Sequence, residues 1–111
     1  MASSEEAITG HVSVKVRILP SAFNDLADGR VFYDSQGEYL GDYFFNTLFS
    51  EIDSLALYAG IHPVVLGFHK LLSETFPYAI YYKILGEDAV VFRVLDCRAD
   101  PIKTRRRLKK C

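Results

Sequence analysis

Two apolar segments joined by three turn residues constrain this chain most. The first is YAIYYKIL, residues 78–85, and the second is AVVFRVLDC, residues 89–97, with Gly86-Glu87-Asp88 between them. Both are rich in aromatic and β-branched side chains, and the break has the length that joins antiparallel strands. A hairpin is therefore predicted. Strand parity divides Tyr78, Ile80, Tyr82 and Ile84 from Ala79, Tyr81, Lys83 and Leu85. The first set is the better core face, which leaves Tyr81 and Lys83 on the second face of the sheet. The same alternation groups Arg93 with Val91, Leu95 and Cys97, beside Tyr81 and Lys83, and groups Val90, Phe92 and Val94 with Asp96 and Arg98. A Lys–Arg–Tyr group on a sheet can hold phosphates and stack a base. It can equally be a solvated face with cations reaching out over apolar neighbours. Asp96, Arg98 and Asp100 form a charged corner, read as local ion pairing that pins the strand end.

The rest of the chain supplies partners for the hairpin. Residues 11–19 alternate, with Val12, Val14, Val16 and Ile18 on one side and Ser13, Lys15 and Arg17 on the other, as a half-buried strand does. Pro20 stops it, and Ser21 is a suitable cap for a first helix over 22–35. Phe23, Leu26, Ala27, Val31 and Tyr33 or Asp34 mark its expected inner face, and Gly29 is a weak point relative to alanine. A second helix is expected over 38–59. Leu40, Phe44, Leu48, Ile52, Leu55 and Ala59 follow one face of it, Phe45, Phe49 and Leu57 widen that face, and Gly60 ends it. Residues 64–72 read as one more strand. The order is β-α-α-β-β-β, an α+β class with a helical hairpin on one face of an antiparallel-rich sheet. The other sheet face is expected to stay open, which suits binding.

A chain of 111 residues fits one domain. The reading divides it into a disordered lead-in over 1–10, a domain over 11–102 and a basic tail over 103–111. The lead-in lacks the layout of a signal peptide, and no apolar run is long enough to span a membrane. Cys97 and Cys111 have no metal-ligand spacing and are expected to be free thiols in a reducing cytoplasm. His11, His62 and His69 are dispersed, so no metal site is expected, and no glycine-rich phosphate loop or nucleophile elbow occurs. No cofactor is expected.

Charge is distributed unevenly. The net charge of −1 combines six cations and no anion in 103–111 with seven cations and fourteen anions in 1–102, a net of −7 for the latter. Attraction to phosphates would come mostly from Lys103, Arg105, Arg106, Arg107, Lys109 and Lys110. Three roles stand for this run: a disordered end, a contact to an acidic protein, or a contact to nucleic acid.

These pieces, taken in order, resemble the RelE/ParE family of small bacterial toxins from Val12 to about Pro101. The resemblance rests on the opening strand, on Pro20-Ser21-Ala22, and on Phe32-Tyr33-Asp34-Ser35-Gln36. It continues through Leu40-Gly41-Asp42-Tyr43-Phe44, His62-Pro63 and the FPYxIYY hairpin that starts at Phe76. It implies a toxin of a type II toxin–antitoxin system, of the kind linked to plasmid stabilisation and growth inhibition, neutralised by a cognate antitoxin in the cytoplasm.

The RelE branch cleaves messenger RNA on the ribosome with basic residues of the sheet and, often, a C-terminal tyrosine. The ParE branch blocks DNA gyrase and needs no catalytic group. Here the arginines expected of the cleaving branch fall on Ala79 and Ala99, and no tyrosine follows Arg98. Cleavage needs a base for the 2′-hydroxyl, an acid for the leaving oxygen and cations for the phosphorane. Lys83, Arg93 and Arg98 can supply cations only, so they are weak catalytic candidates. Tyr81, Lys83, Arg93, Arg98, Arg105 and Arg106 are the expected partner-binding residues. The favoured reading is a ParE-like toxin that binds a protein such as DNA gyrase. The alternatives are a RelE-type endoribonuclease and a decayed, non-toxic protein-binding member.

Overall fold

A computed structural model of the chain describes residues 14–110. The expected lead-in over 1–10, and Val12 and Cys111, lie outside the described residues. The elements are β1 (Lys15–Ile18), α1 (Pro20–Gln36), α2 (Leu40–Asp53), α3 (Leu55–Tyr58), β2 (Val64–Val65), β3 (Phe68–Leu72), β4 (Tyr78–Leu85), β5 (Asp88–Asp96) and α4 (Pro101–Lys109). The strands form one sheet in the order β1-β5-β4-β3-β2. β1 runs parallel to β5, and the other pairs are antiparallel. The α+β class and the antiparallel-rich sheet are as the alternation implies.

The main core lies between α1–α2 and the sheet. Tyr78, Ile80 and Tyr82 of β4 meet Leu26, Phe44, Leu48 and Ile52 there, on the face that strand parity assigns to the core. Val14, Val16 and Ile18 pack against the same cluster.

Several expectations are corrected. The inner face of α1 is Ala22, Asp25, Leu26, Gly29 and Tyr33, and Val31 is 70% exposed. Gly29 is no defect, because the Phe44 ring occupies the place of its missing side chain: a Cβ would lie 2.5 Å from two ring atoms. We therefore expect Gly29→Ala to destabilise by about 1–3 kcal/mol despite alanine's higher helix propensity, measured as a lower denaturation midpoint. An unchanged or raised midpoint would refute the close approach.

The second helix breaks at Ser54, where α2 gives way to the single turn of α3, and Leu57 points outward, 69% exposed. The expected strand over 64–72 is a tight hairpin instead. Leu66 and Gly67 both take positive φ (55° and 84°), which is how a two-residue turn matches strand twist. Gly67 gives a turn signal there, but a leucine in that conformation gives none, so composition alone leaves the segment reading as one strand.

The largest correction concerns β5. Tyr81 pairs with Arg93 and Tyr82 with Val91, so Phe92 is an extra residue, a bulge. Beyond the bulge the parity inverts. Val91 and Val94 both face the main core, whereas Phe92 and Leu95 join a second cluster with Phe68, Ala79, Tyr81 and Leu108. Leu108 belongs to α4, so the second face of the sheet is partly covered, not open. Among the three roles considered for the basic run, a disordered end does not describe residues 101–109.

Candidate functional site

The second sheet face holds a groove of about 300 Å³ between the β2–β3 turn and α4. Val65 and Leu66 form one wall, and Pro101, Thr104 and Arg105 form the other. Lys70, Tyr81, Asp96 and Cys97 also line it, with Ala99 at one end. Strand register explains this grouping. Lys70 and Tyr81 are cross-strand partners and Arg93 is the next residue in that row. Cys97 is placed where its backbone N–H donates to the Pro77 carbonyl at 2.8 Å.

The helical wall is set by local sequence. The Asp100 side chain accepts a hydrogen bond from the Ile102 N–H at 2.9 Å, and Pro101 occupies the first helical position. A capping aspartate followed by proline is a recognised helix start. The pair Asp100-Pro101 was thus the signal for α4, although it also reads as a strand stop. Three cations, Arg106, Arg107 and Lys109, lie in the last turn, where the helix dipole favours them.

The predicted site residues do not stay together. Of them, Tyr81 and Arg105 meet at the groove, where Lys70 joins them. Lys83 shares that sheet face, with its ammonium 4.5 Å from the Phe68 ring centroid and 5.5 Å from that of Phe92. Arg106 is exposed on α4 but does not line the groove. Arg93 does not join Lys83 as expected. It makes two hydrogen bonds, at 2.8 and 2.7 Å, to the carboxylate of Asp25 on α1. It keeps its place in the Tyr81 row, and the Asp25 carboxylate draws its guanidinium to α1 instead. Arg98 binds the Asp96 carboxylate through Nε and Nη2 at 3.0 and 2.8 Å, which is the local ion pair the charged corner suggested. Lys70 and Thr104 escaped the sequence reading, because neither belongs to a motif and both reach the groove only through tertiary placement.

Ionisation in the groove is conservative. Burial, and then the neighbouring Cys97, raise the Tyr81 phenol above its ordinary value. Burial likewise raises the Cys97 thiol. Both therefore hold their protons at neutral pH. Hydrogen bonds from Arg98 hold the Asp96 carboxyl below its usual range. The groove thus presents two cations, Lys70 and Arg105, and apolar walls, while its one carboxylate is engaged by Arg98. It can accept a negatively charged, partly apolar segment. It holds no group poised near neutrality to take a proton.

Two histidines that looked dispersed converge on the opposite face. His69 stacks on Tyr82 with centroids 5.0 Å apart, and the His62 Nδ1 bonds the Tyr82 hydroxyl. Among the described residues no three His, Cys, Asp or Glu side chains are grouped as metal ligands. No helix among them is long and apolar enough to cross a membrane.

This architecture has a solved counterpart. A chain of the "Chromosomal ParDE TA system from P. aeruginosa" superposes with a TM-score of 0.68 at 17% identity, covering 74% of this chain and 94% of that one. The fold is ParDE-like. No family model matches the sequence, and no curated protein does. The likeness to the ParDE chain is therefore carried by the arrangement of helices on the sheet, and the groove described above lies on the ParDE-like sheet.

Proposed function

We propose that the chain is the toxin of a type II toxin–antitoxin system, held in check by a cognate antitoxin, and that it acts by binding a protein target such as DNA gyrase. The ParDE-like fold supports the first part. The observation that carries the second is the lining of the groove, where Lys70 and Arg105 lie between apolar walls; its Tyr81 phenol and Cys97 thiol are pushed up by burial and keep their protons at neutral pH, so neither serves as a base. His62 and His69 are on the other side of the sheet, where Tyr82 faces the main core. Arg93 and Arg98, two cations that a phosphorane would need, are bound to Asp25 and Asp96. What remains at the groove is a basic, apolar-walled surface on an acidic body, suited to an acidic protein segment.

Tightly controlled expression tests the reading, with and without the neighbouring small reading frame, following DNA supercoiling and bulk translation together. Arrest with a supercoiling defect, relieved by the neighbour, is expected. An immediate translation block with cleaved messenger RNA would overturn the non-hydrolytic part. Absence of arrest would overturn the toxin itself in favour of a non-toxic binding member. The double variant Lys70→Glu, Arg105→Glu is expected to abolish arrest; because Lys70 is half-buried, urea unfolding of the purified variant is followed alongside to show that it remains folded. Persistent arrest in that variant would remove the groove from the target interface.

A further inference from the structure

Tyr82 is a fully buried tyrosine whose hydroxyl holds the loop before β2. The Gly60 N–H donates to it at 2.9 Å. The hydroxyl's own proton then needs an acceptor, and His62 Nδ1 is the atom in bonding contact. That assigns neutral His62 its proton on Nε2. One residue farther on, the Pro63 carbonyl accepts from the Lys70 N–H at 2.8 Å, and the His62 carbonyl accepts from His69 Nδ1 at 2.8 Å. The loop is thereby tied to β3, and β2 hangs from it.

We propose that the Tyr82–His62 contact is an acid-sensitive latch that holds residues 60–65 and the β2–β3 hairpin in place. Protonation at His62 Nδ1 removes the acceptor and leaves the Tyr82 hydroxyl proton without its partner inside the core. It also sets a cation beside His69, which is stacked on the same ring. The surroundings favour neutrality. Burial lowers the His62 pKa below 6.5, and His69 lowers it further. The other titratable groups around the adjoining cleft are Glu51 of α2, Tyr58 of α3 and Glu74 before β4. Glu51 accepts a hydrogen bond from the Glu74 backbone N–H at 3.0 Å. These two carboxylates do not offset the burial of His62, whose shift remains downward.

A lowered folded value means that the latch is intact above the ordinary imidazole pKa and is lost as pH falls from there through the folded value. Because Val65 and Leu66 wall the groove on the opposite face, the same protonation would loosen one wall of it. That consequence rests on the groove reading, whereas the latch itself does not.

The test is amide exchange in the full chain, corrected for intrinsic rates, at about pH 7.5 and about pH 5, which bracket ordinary imidazole titration. Protection in 60–70 is expected to fall roughly tenfold for each pKa unit separating folded and unfolded His62, with β4–β5 amides unaffected. In the wild-type chain the loss of protection must begin near the ordinary imidazole pKa and level off where the folded His62 resonances titrate. His62 titrating with protection unchanged overturns the proposal, as does a pH-independent hairpin. His62→Asn keeps an acceptor near the Nδ1 position but cannot titrate, so its hairpin protection is expected to be independent of pH. Retained acid sensitivity in that variant would transfer the effect to His69 and overturn the latch. None of these outcomes depends on toxicity or on a partner, so failure here is separable from failure of the proposed function.

Discussion

Asp25→Ala is expected to lower the unfolding free energy by roughly 3–5 kcal/mol, the range for removing one partner of a buried charge pair. Asp25 has a side chain only 7% exposed, and three donors converge on it: Nε and Nη2 of Arg93, and the Val94 N–H at 2.9 Å. The reason lies in how β1 ends. β1 pairs with β5 only as far as Ile18 and Val91, and the Leu19 N–H still reaches the Val91 carbonyl. Past that point α1 takes over the edge of β5. The Ser21 hydroxyl donates to the Phe92 carbonyl at 2.7 Å, and the Asp25 carboxylate accepts from Val94. Side chains of a helix thus replace the missing strand. Alanine withdraws the acceptor from a buried N–H and the carboxylate from beside a largely buried guanidinium. Asp25→Asn should restore part of the loss, because its amide oxygen can still accept from Val94. Urea unfolding followed by circular dichroism reads both; a change below about 1 kcal/mol for the alanine variant would mean that the pair is replaceable.

Phe44→Ala should be comparably damaging, at about 3–5 kcal/mol. The Phe44 ring is fully buried and lies at the centre of an aromatic group. It stacks on Tyr33 at 5.0 Å and meets Phe76 and Tyr78 edge-on at 5.1 and 4.9 Å. Such pairs add to the burial of the ring itself. Its far edge fills the notch at Gly29, so the two positions are coupled. Placing Gly29→Ala in the Phe44→Ala background should therefore cost less than in the wild-type chain, because the ring atoms it would strike are gone. Strictly additive effects in this cycle would contradict the notch. With total stabilities of small domains at about 5–15 kcal/mol, Phe44→Ala should also show a marked loss of thermal stability.

The candidate site was only partly legible. Tyr81 and Lys83 are placed by strand parity, which is a property of the local backbone. Arg98 and Asp96 are two residues apart and find each other locally. Arg93 keeps its expected row beside Tyr81, but its guanidinium goes to Asp25, a helix residue far away in the chain; the bulge at Phe92 instead exchanges the faces of Val91 and Phe92, and no residue type in VVFRVL marks it. Lys70 enters the groove because Leu66-Gly67 folds the chain back, and the histidines meet for the same reason. The Gly29 notch was read as weakness because propensity alone ignores what packs against a helix.

By itself, then, the sequence determined the α+β class, the apolar faces of α2 and β4, and the separation of an acidic body from a basic end. Each follows from periodicity or composition within a single segment. Only the tertiary structure decided that α1 closes the edge of β5 through Asp25, that α4 covers part of the second sheet face, and that Tyr82 gathers His62 and His69. Each of these joins residues far apart in the chain, where the deciding quantity is which buried polar group or ring finds a partner. That is a property of packing, and no local pattern encodes it.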